Sequence, residues 1–345
     1  MSFLSNWRSD RNAETISDAT GILCRLVTAE EVAPALRLVL SADKASDAPV
    51  IDFLRFALAR GIDTNATYVA IHDGHMIAAL LPVPNPGRTL LLLAAPTFST
   101  PLQRQAAAVL LEHVLNQYAA TGIHLVQILL DPTEREAIDL YTQHDFTSMA
   151  ELLYLQTSTR RAVRAPELSP GQAWINYSPN THALFARTIA ATYQNSLDCP
   201  ALAGQRNIED TIAGHRATGE FDPALWYLLL ENDQPLGVVL LAPTPPAEAM
   251  ELVYLGLTPA ARGRQLGDLL LRQALYATHR RNLSLLTLAV DSLNAPALKL
   301  YYRHGLRRVH AKVALMRDLR QQAAAFMAEQ EPSATNSSTP SPHAR

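Results

Sequence analysis

Displaced by 160 positions, this 345-residue chain overlays on itself. Tyr301 then falls on Tyr141, Leu300 on Leu140 and Ala297 on Ala137. In the same ungapped register Leu306 falls on Phe146, Asp291 on Asp131, Arg264 on Arg104, Gln265 on Gln105, and Leu270 and Leu271 on Leu110 and Leu111. Solenoid and propeller repeats run to roughly 20–50 residues, so a period this long marks tandem duplication of a whole domain. Chain length agrees, since 345 residues exceed one typical domain and suit two.

Each copy alternates strands and helices. In the first, strands at 68–71 and 75–82 flank the turn-forming His72-Asp73-Gly74, a hairpin signal. A strand at 89–95, a helix at 101–120, a strand at 124–130 and a helix at 134–144 follow. The second repeats the order: strands at 226–231 and 235–242 around Asn232-Asp233, a strand at 251–257, a helix at 266–281, a strand at 284–290, a helix at 295–304 and a last strand near 312–316. Arg280 and Arg281 suit a helix C-terminus, and Asn282 a left-handed cap. The fold class predicted is mixed α/β (α+β), two tandem units each with a mostly antiparallel sheet flanked by helices. Boundaries fall at 1–21 (a flexible N-terminus), 22–156 (first unit), 157–172 (a linker rich in Thr, Arg, Pro and Ser), 173–320 (second unit) and 321–345 (a low-complexity tail expected to be disordered).

A net charge of −3 provides no field for nucleic acid or an anionic membrane. The two cysteines, Cys24 and Cys199, lie far apart, and the 11 histidines show no ligand spacing, so neither a disulfide framework nor a metal site is indicated. Residues 1–10 have no apolar core of a signal peptide, and no run approaches the roughly 18 apolar residues of a membrane span. These features predict a cytoplasmic protein without membrane or nucleic-acid partners.

The chemistry concentrates in two stretches. The first, from Glu251 to Gly267, is a strand, a turn of small and basic residues (Arg262-Gly263-Arg264-Gln265-Leu266-Gly267) and the start of a helix. A helix N-terminus leaves four N–H groups without partners and carries the positive end of the macrodipole, so such a turn is an anion cradle. The second, Asn294 to Leu306, is a short helix ending at Gly305 with a Tyr pair on its last turn.

Together these residues resemble the GNAT superfamily of acyl-CoA-dependent N-acyltransferases. Leu257-Thr258-Pro259 stands for the family's Val-x-Pro-like element, and Arg262 to Gly267 for its Arg/Gln-x-x-Gly-x-Gly/Ala loop, with Gln265 where the middle Gly is usual. Asn294, Ala297, Leu300, Tyr301 and Gly305 match the downstream Asn-x-x-Ala-x-x-Leu-Tyr-x-x-x-Gly-Phe, with Leu306 replacing Phe. The tandem plan is similar to that of mycothiol synthase.

The resemblance implies acetyl-CoA as co-substrate, no metal, and a small-molecule or peptide amine as acceptor. Backbone N–H groups of Arg264, Gln265, Leu266 and Gly267 are expected to hold the diphosphate, with Gly263 in the turn, Arg262 or Arg264 adding charge, Asn294 nearby, and Leu255 and Leu257 pairing with pantetheine. Tyr301 is the implied general acid for the leaving thiolate; a core aromatic is the other reading, and Tyr302 its competitor by one position. Glu251 stands six before Leu257, where the histone-acetyltransferase branch carries a Glu, and is either the base for the amine or a solvated strand-end residue. Alternation puts Glu251, Val253, Leu255 and Leu257 on one face and Leu252, Tyr254 and Gly256 on the other. Asp198 and Tyr254 are candidate acceptor contacts, with an N-cap role the alternative for Asp198. Cys199 reads as a small buried thiol rather than a nucleophile.

The first copy's loop is degraded: Leu102-Gln103-Arg104-Gln105-Ala106-Ala107 has no glycine, and Glu134 and Asp145 replace Asn294 and Gly305. Catalysis is therefore expected in the second unit. The rival reading is a non-catalytic acyl-CoA-binding or scaffold protein. A longer acyl-CoA or an aminoacyl-tRNA is the other donor to consider, and the mild net charge argues against the tRNA.

Overall fold

A computed structural model of the chain describes residues 16–17, 21–43, 45–161, 163–202, 204, 206–244 and 248–320. The expected flexible start, apart from Ile16, Ser17 and Gly21, and the expected tail 321–345 lie outside the described residues.

The duplication is visible element by element. After a two-residue strand β1 (Ile16–Ser17), the first half runs β2 (Leu23–Leu26), α1 (Val32–Val39), α2 (Ala48–Arg60), β3 (Tyr68–His72), β4 (His75–Asn85), β5 (Thr89–Ala94), α3 (Pro101–Ala119), β6 (Leu125–Leu130), α4 (Arg135–Gln143) and β7 (Thr147–Ser158). The second half has the same order: β8 (Gln172–Asn176), α5 (His182–Thr192), α6 (Ile208–Ala217), β9 (Trp226–Glu231), β10 (Gln234–Thr244), β11 (Ala249–Leu257), α7 (Leu266–Arg280), β12 (Leu285–Asp291), α8 (Ala295–Arg303) and β13 (Arg307–Asp318). The β3–β4 turn puts Asp73 and Gly74 at positive φ, and the β9–β10 turn does the same with Asn232 and Asp233, as two-residue hairpins require. Asn282 closes α7 in the left-handed region.

Among the described residues thirteen strands form one sheet, ordered β1-β2-β3-β4-β5-β6-β13-β7-β12-β11-β10-β9-β8. The halves exchange their last strands at its centre. β13, from the second half, pairs with β6 of the first, while β7, from the first half, pairs with β12 of the second. The cores explain the exchange: Leu315 of β13 is buried among first-half residues, and Leu153 and Leu155 of β7 are buried in the second-half core. Helices cover both faces of each half. α7 and α8 lie over the core containing Met250 and Leu252, and α5 and α6 over the opposite one with Trp226 and Phe185.

Pairing is antiparallel throughout except for β5 with β6 and β11 with β12. Each parallel pair is short. β11 and β12 hold register only over Ala249↔Leu285, Met250↔Leu286 and Glu251↔Thr287, then part. From Leu252 onward β11 keeps β10 on one edge and has an open edge on the other.

Candidate functional site

Where β11 and β12 part, a cleft of about 570 Å³ opens. One wall is Leu252 to Leu257, another is Leu288 to Val290, and its mouth is the loop leading into α7. In that loop Gly263 and Gln265 both take positive φ (75° and 60°), curling the backbone before the helix begins. Among the described residues, the N–H groups of Gly263, Arg264, Gln265, Leu266 and Gly267 have no intramolecular acceptor. Five consecutive free donors at the positive end of a fifteen-residue helix make a diphosphate-sized cradle. At Gly267 a Cβ would come within 3.2 Å of Leu300 Cδ2, so a larger residue requires that side chain to give way. Gln265 pays the strain of a left-handed non-glycine residue, yet its N–H stays open.

The basic side chains of this loop are already engaged. Arg262 donates from Nε to the Leu257 carbonyl (3.3 Å), from Nη1 to Asn195 O (3.1 Å) and from Nη2 to Thr192 O (2.9 Å). It clasps the end of β11 to the end of α5. Arg264 is turned to Glu231, 2.7 Å away, and does not line the cleft. Both guanidinia thus have protein partners here, three backbone carbonyls for Arg262, which still lines the cleft, and the Glu231 carboxylate for Arg264.

Tyr301 lines the same cleft and is only 7% exposed, whereas Tyr302 is 41% exposed on the outer face of α8. Helical phase thus puts Tyr301, and not Tyr302, in the cleft. Burial, and then the neighbouring Asp198 and Tyr254, push the Tyr301 phenol above its ordinary value, so it stays protonated. Asp198 is held by a reciprocal brace: its Oδ1 accepts from the Asp291 N–H (3.2 Å), while Asp291 Oδ2 accepts from the Cys199 N–H (3.1 Å). Asn294 caps α8 by accepting from Ala297 N–H (3.3 Å), and its side chain also bonds Asp198. Asn294 therefore lines the cleft while organising it. Burial raises the Asp198 carboxyl despite these donors. Its side chain caps no helix; Pro200–Leu202 forms a 3-10 turn closed from the Cys199 carbonyl. Burial, with Asp198 and Asp291 nearby, pushes the Cys199 thiol up to about 12, which removes the thiolate a nucleophile needs.

The alternation expected along β11 is broken. Leu240 pairs with Tyr254 and Leu241 with Leu252, so Val253 is a bulge residue without a partner on β10. Leu255 and Leu257 consequently join Leu252 on the α7–α8 face, and Glu251 stands on the opposite face. Glu251 lines neither the cleft nor the cavity beside it. Its carboxyl is raised by burial and partly offset by Arg60 of the first half.

A second cavity, of about 550 Å³, lies across β11 under α5 and α6. Val253, Tyr254, Asn195, Ser196 and Asp198 line both spaces, so they form the partition. The Tyr254 hydroxyl bonds Thr192 Oγ1 (2.8 Å), and its ring stacks on His215 at 5.3 Å. The Tyr193 hydroxyl bonds His215 Nε2 (3.2 Å). Tyr193, Arg206 and His215 went unnoticed in the sequence because no spacing rule links them; only the fold of α5 and α6 over β11 does.

The first-half counterpart is built differently. There Pro101 has no N–H, Thr100 Oγ1 accepts from Gln103 N–H (3.2 Å), and Gln103 Oε1 accepts from Ser99 N–H (2.8 Å). The start of α3 is capped by its own side chains, and the cavity beside it is about 300 Å³. Tyr141 is retained but packs edge-on to Phe146 at 5.2 Å. Among the described residues no three His, Cys, Asp or Glu side chains are grouped to hold a metal, and no helix is long and apolar enough to cross a membrane.

Comparison with known proteins agrees with this geometry. Residues 192–306 match the model of the acetyltransferase (GNAT) family. A mycothiol acetyltransferase from Rhodococcus erythropolis is 29% identical over 196 residues, covering 53% of this chain and 62% of the relative, so the match spans less than two thirds of that protein. A GCN5-related N-acetyltransferase structure from Sphaerobacter thermophilus superposes with a TM-score of 0.59 at 19% identity, covering 87% of this chain and 96% of the other. A tandem GNAT protein from the clavulanic acid biosynthesis pathway gives 0.50 at 12% identity, covering 86% and 98%. At these identities the structural likeness is one of fold.

Proposed function

We propose, because residues 192–306 match the model of the acetyltransferase (GNAT) family, that the chain is an acetyl-CoA-dependent N-acetyltransferase working through its second half. The observation that carries this reading is the row of free N–H groups from Gly263 to Gly267 at the mouth of the cleft that Tyr301 lines. The diphosphate of acetyl-CoA rests on that row. Its pantetheine runs along the open edge of β11, pairing with Leu255 and Leu257, and the thioester reaches the partition near Tyr301.

The acceptor is a small-molecule or peptide amine entering from the second cavity. An ammonium acceptor gives one proton to a base and attacks the thioester carbonyl as the free amine; the tetrahedral intermediate then expels the thiolate, which takes a proton from Tyr301, and the second proton lost by the nitrogen restores the phenol. Asp198 is the better-placed base, because it alone among the carboxylates lines both spaces. Glu251, the base suggested by spacing, lies on the wrong side of the bulge and would need a water chain. Positioning and hydrogen bonding to the oxyanion do the work, with no covalent intermediate. A cytoplasmic setting, where acetyl-CoA is available, belongs to this reading.

Equilibrium dialysis tests it directly: one acetyl-CoA bound per chain is expected. No binding at millimolar concentration overturns the reading.

A further inference from the structure

Among the described residues, the second cavity holds a cation that makes no ion pair. Arg206 lines it, and its Nε is buried with no hydrogen-bond partner. One contact is made: Nη2 donates to the Asp210 carbonyl at 2.8 Å. The Asp210 carboxylate acts on it from a distance but is directly paired with Arg88 of the first half at 2.5 Å.

Room for the guanidinium is made by two glycines. A Cβ on Gly214 of α6 would meet Arg206 Nη2 at 2.7 Å, and one on Gly87, in the first half's β4–β5 turn, would meet it at 2.6 Å. Leaving a buried donor of a charged group unsatisfied is costly, and such a group is normally paired once its site is complete.

The cavity is also polarised. Asp198 stands at the partition with the cleft, whereas Arg206 lines only the far space. Between them lies an aromatic wall: Tyr254 with Tyr193 at 5.3 Å and with His215 at 5.3 Å. Burial, reinforced by Arg206, holds His215 at about 4, so at neutral pH this wall carries no second charge.

We propose that the acceptor is an amine that also carries an anionic oxygen group, a carboxylate or a phosphate, with the amine toward Asp198 and the anion on Arg206. This rests on the transferase reading and narrows it to a substrate class. Guanidinium and carboxylate or phosphate form the strong, geometrically specific pairs that a half-buried arginine is suited to.

The test is a thiol-release assay on the full chain with matched acceptors: free amino acids against their carboxamides, and aminoalkyl phosphates against the corresponding amino alcohols. The anionic member of a pair should have kcat/KM higher by about 10- to 100-fold, mostly through KM. Arg206→Gln should erase that preference, with the KM for acetyl-CoA unmoved. Comparison within the wild-type protein keeps the test valid if the variant fails to fold. Acetylation of neutral and anionic partners at equal efficiency overturns this inference but leaves the transferase reading intact. Thiol release with no acceptor of any charge, from a protein that binds acetyl-CoA, counts against the transferase reading instead.

Discussion

At the scale of single residues, Tyr301, Asp198 and His215 make separable predictions. Tyr301→Phe removes only a hydroxyl and leaves the packing of the ring, so turnover should fall by about 10²-fold with the KM for acetyl-CoA nearly constant. Full turnover in this variant would mean that water protonates the thiolate. Asp198→Asn should lower the rate by about 10²-fold or more, recovering partly at high pH where the acceptor is already a free amine. Glu251→Gln should cost less than about tenfold, since it removes no group from either cavity; the reverse ranking in a pH–rate series would restore Glu251 as the base. His215 concerns stability. Its folded value, about 4, lies below the ordinary imidazole value of about 6.5, so between these the unfolded chain binds more protons than the folded one. Stability should therefore fall as pH drops through that window. His215→Gln should flatten this part of the curve in urea titrations; an unchanged slope would show that the imidazole is not held neutral.

At the scale of elements, one helix start keeps open donors and its duplicate is closed by its own side chains. The strand, loop and helix of β11–α7 present free donors, while β5–α3 closes the same position with Thr100, Pro101 and Gln103. Gly267→Glu puts bulk against Leu300 and a carboxylate into the cradle, so acetyl-CoA binding should be lost in calorimetry. The matching Ala107→Glu, far from the cleft, should alter affinity by less than about threefold. Two equivalent sites in the wild-type titration would refute this division of labour. Much here was legible in advance, because a Gly-bearing loop before an apolar helix is a local pattern. What the sequence did not disclose was that Arg262 and Arg264 would be spent on Thr192, Asn195 and Glu231, since those partners come from distant elements.

At the scale of the molecule, the exchanged strands bind the halves into one folding unit. β13 completes the first core through Leu315, and β7 completes the second through Leu153 and Leu155. Neither half retains its own central edge when separated. Urea unfolding should accordingly be a single transition, with the fluorescence of Trp174 and Trp226, both in the second half, coinciding with far-UV circular dichroism from the whole chain. Two resolved transitions would show that the halves are independent. The first half also reaches the second cavity: its Gly87 packs against Arg206 and its Arg88 pairs with Asp210 of α6.

Sequence alone determined the duplication, the order of strands and helices in each copy, the Gly-bearing loop before α7 and the Tyr301 helix. Each of these is written in spacing between neighbours: period two in strands, period 3.6 in helices, and turn residues such as Asp73-Gly74 at positive φ. Tertiary structure decided the rest. Which strand fills the gap beside β6 is a contest between long-range partners of similar chemistry, won by packing. The bulge at Val253 arises from pairing with β10 and moves Glu251 to the other face, a reversal that no alternation rule can register. The second cavity depends on α5 and α6 crossing β11 and on a turn of the first half reaching Arg206, the latter a contact between residues more than a hundred positions apart.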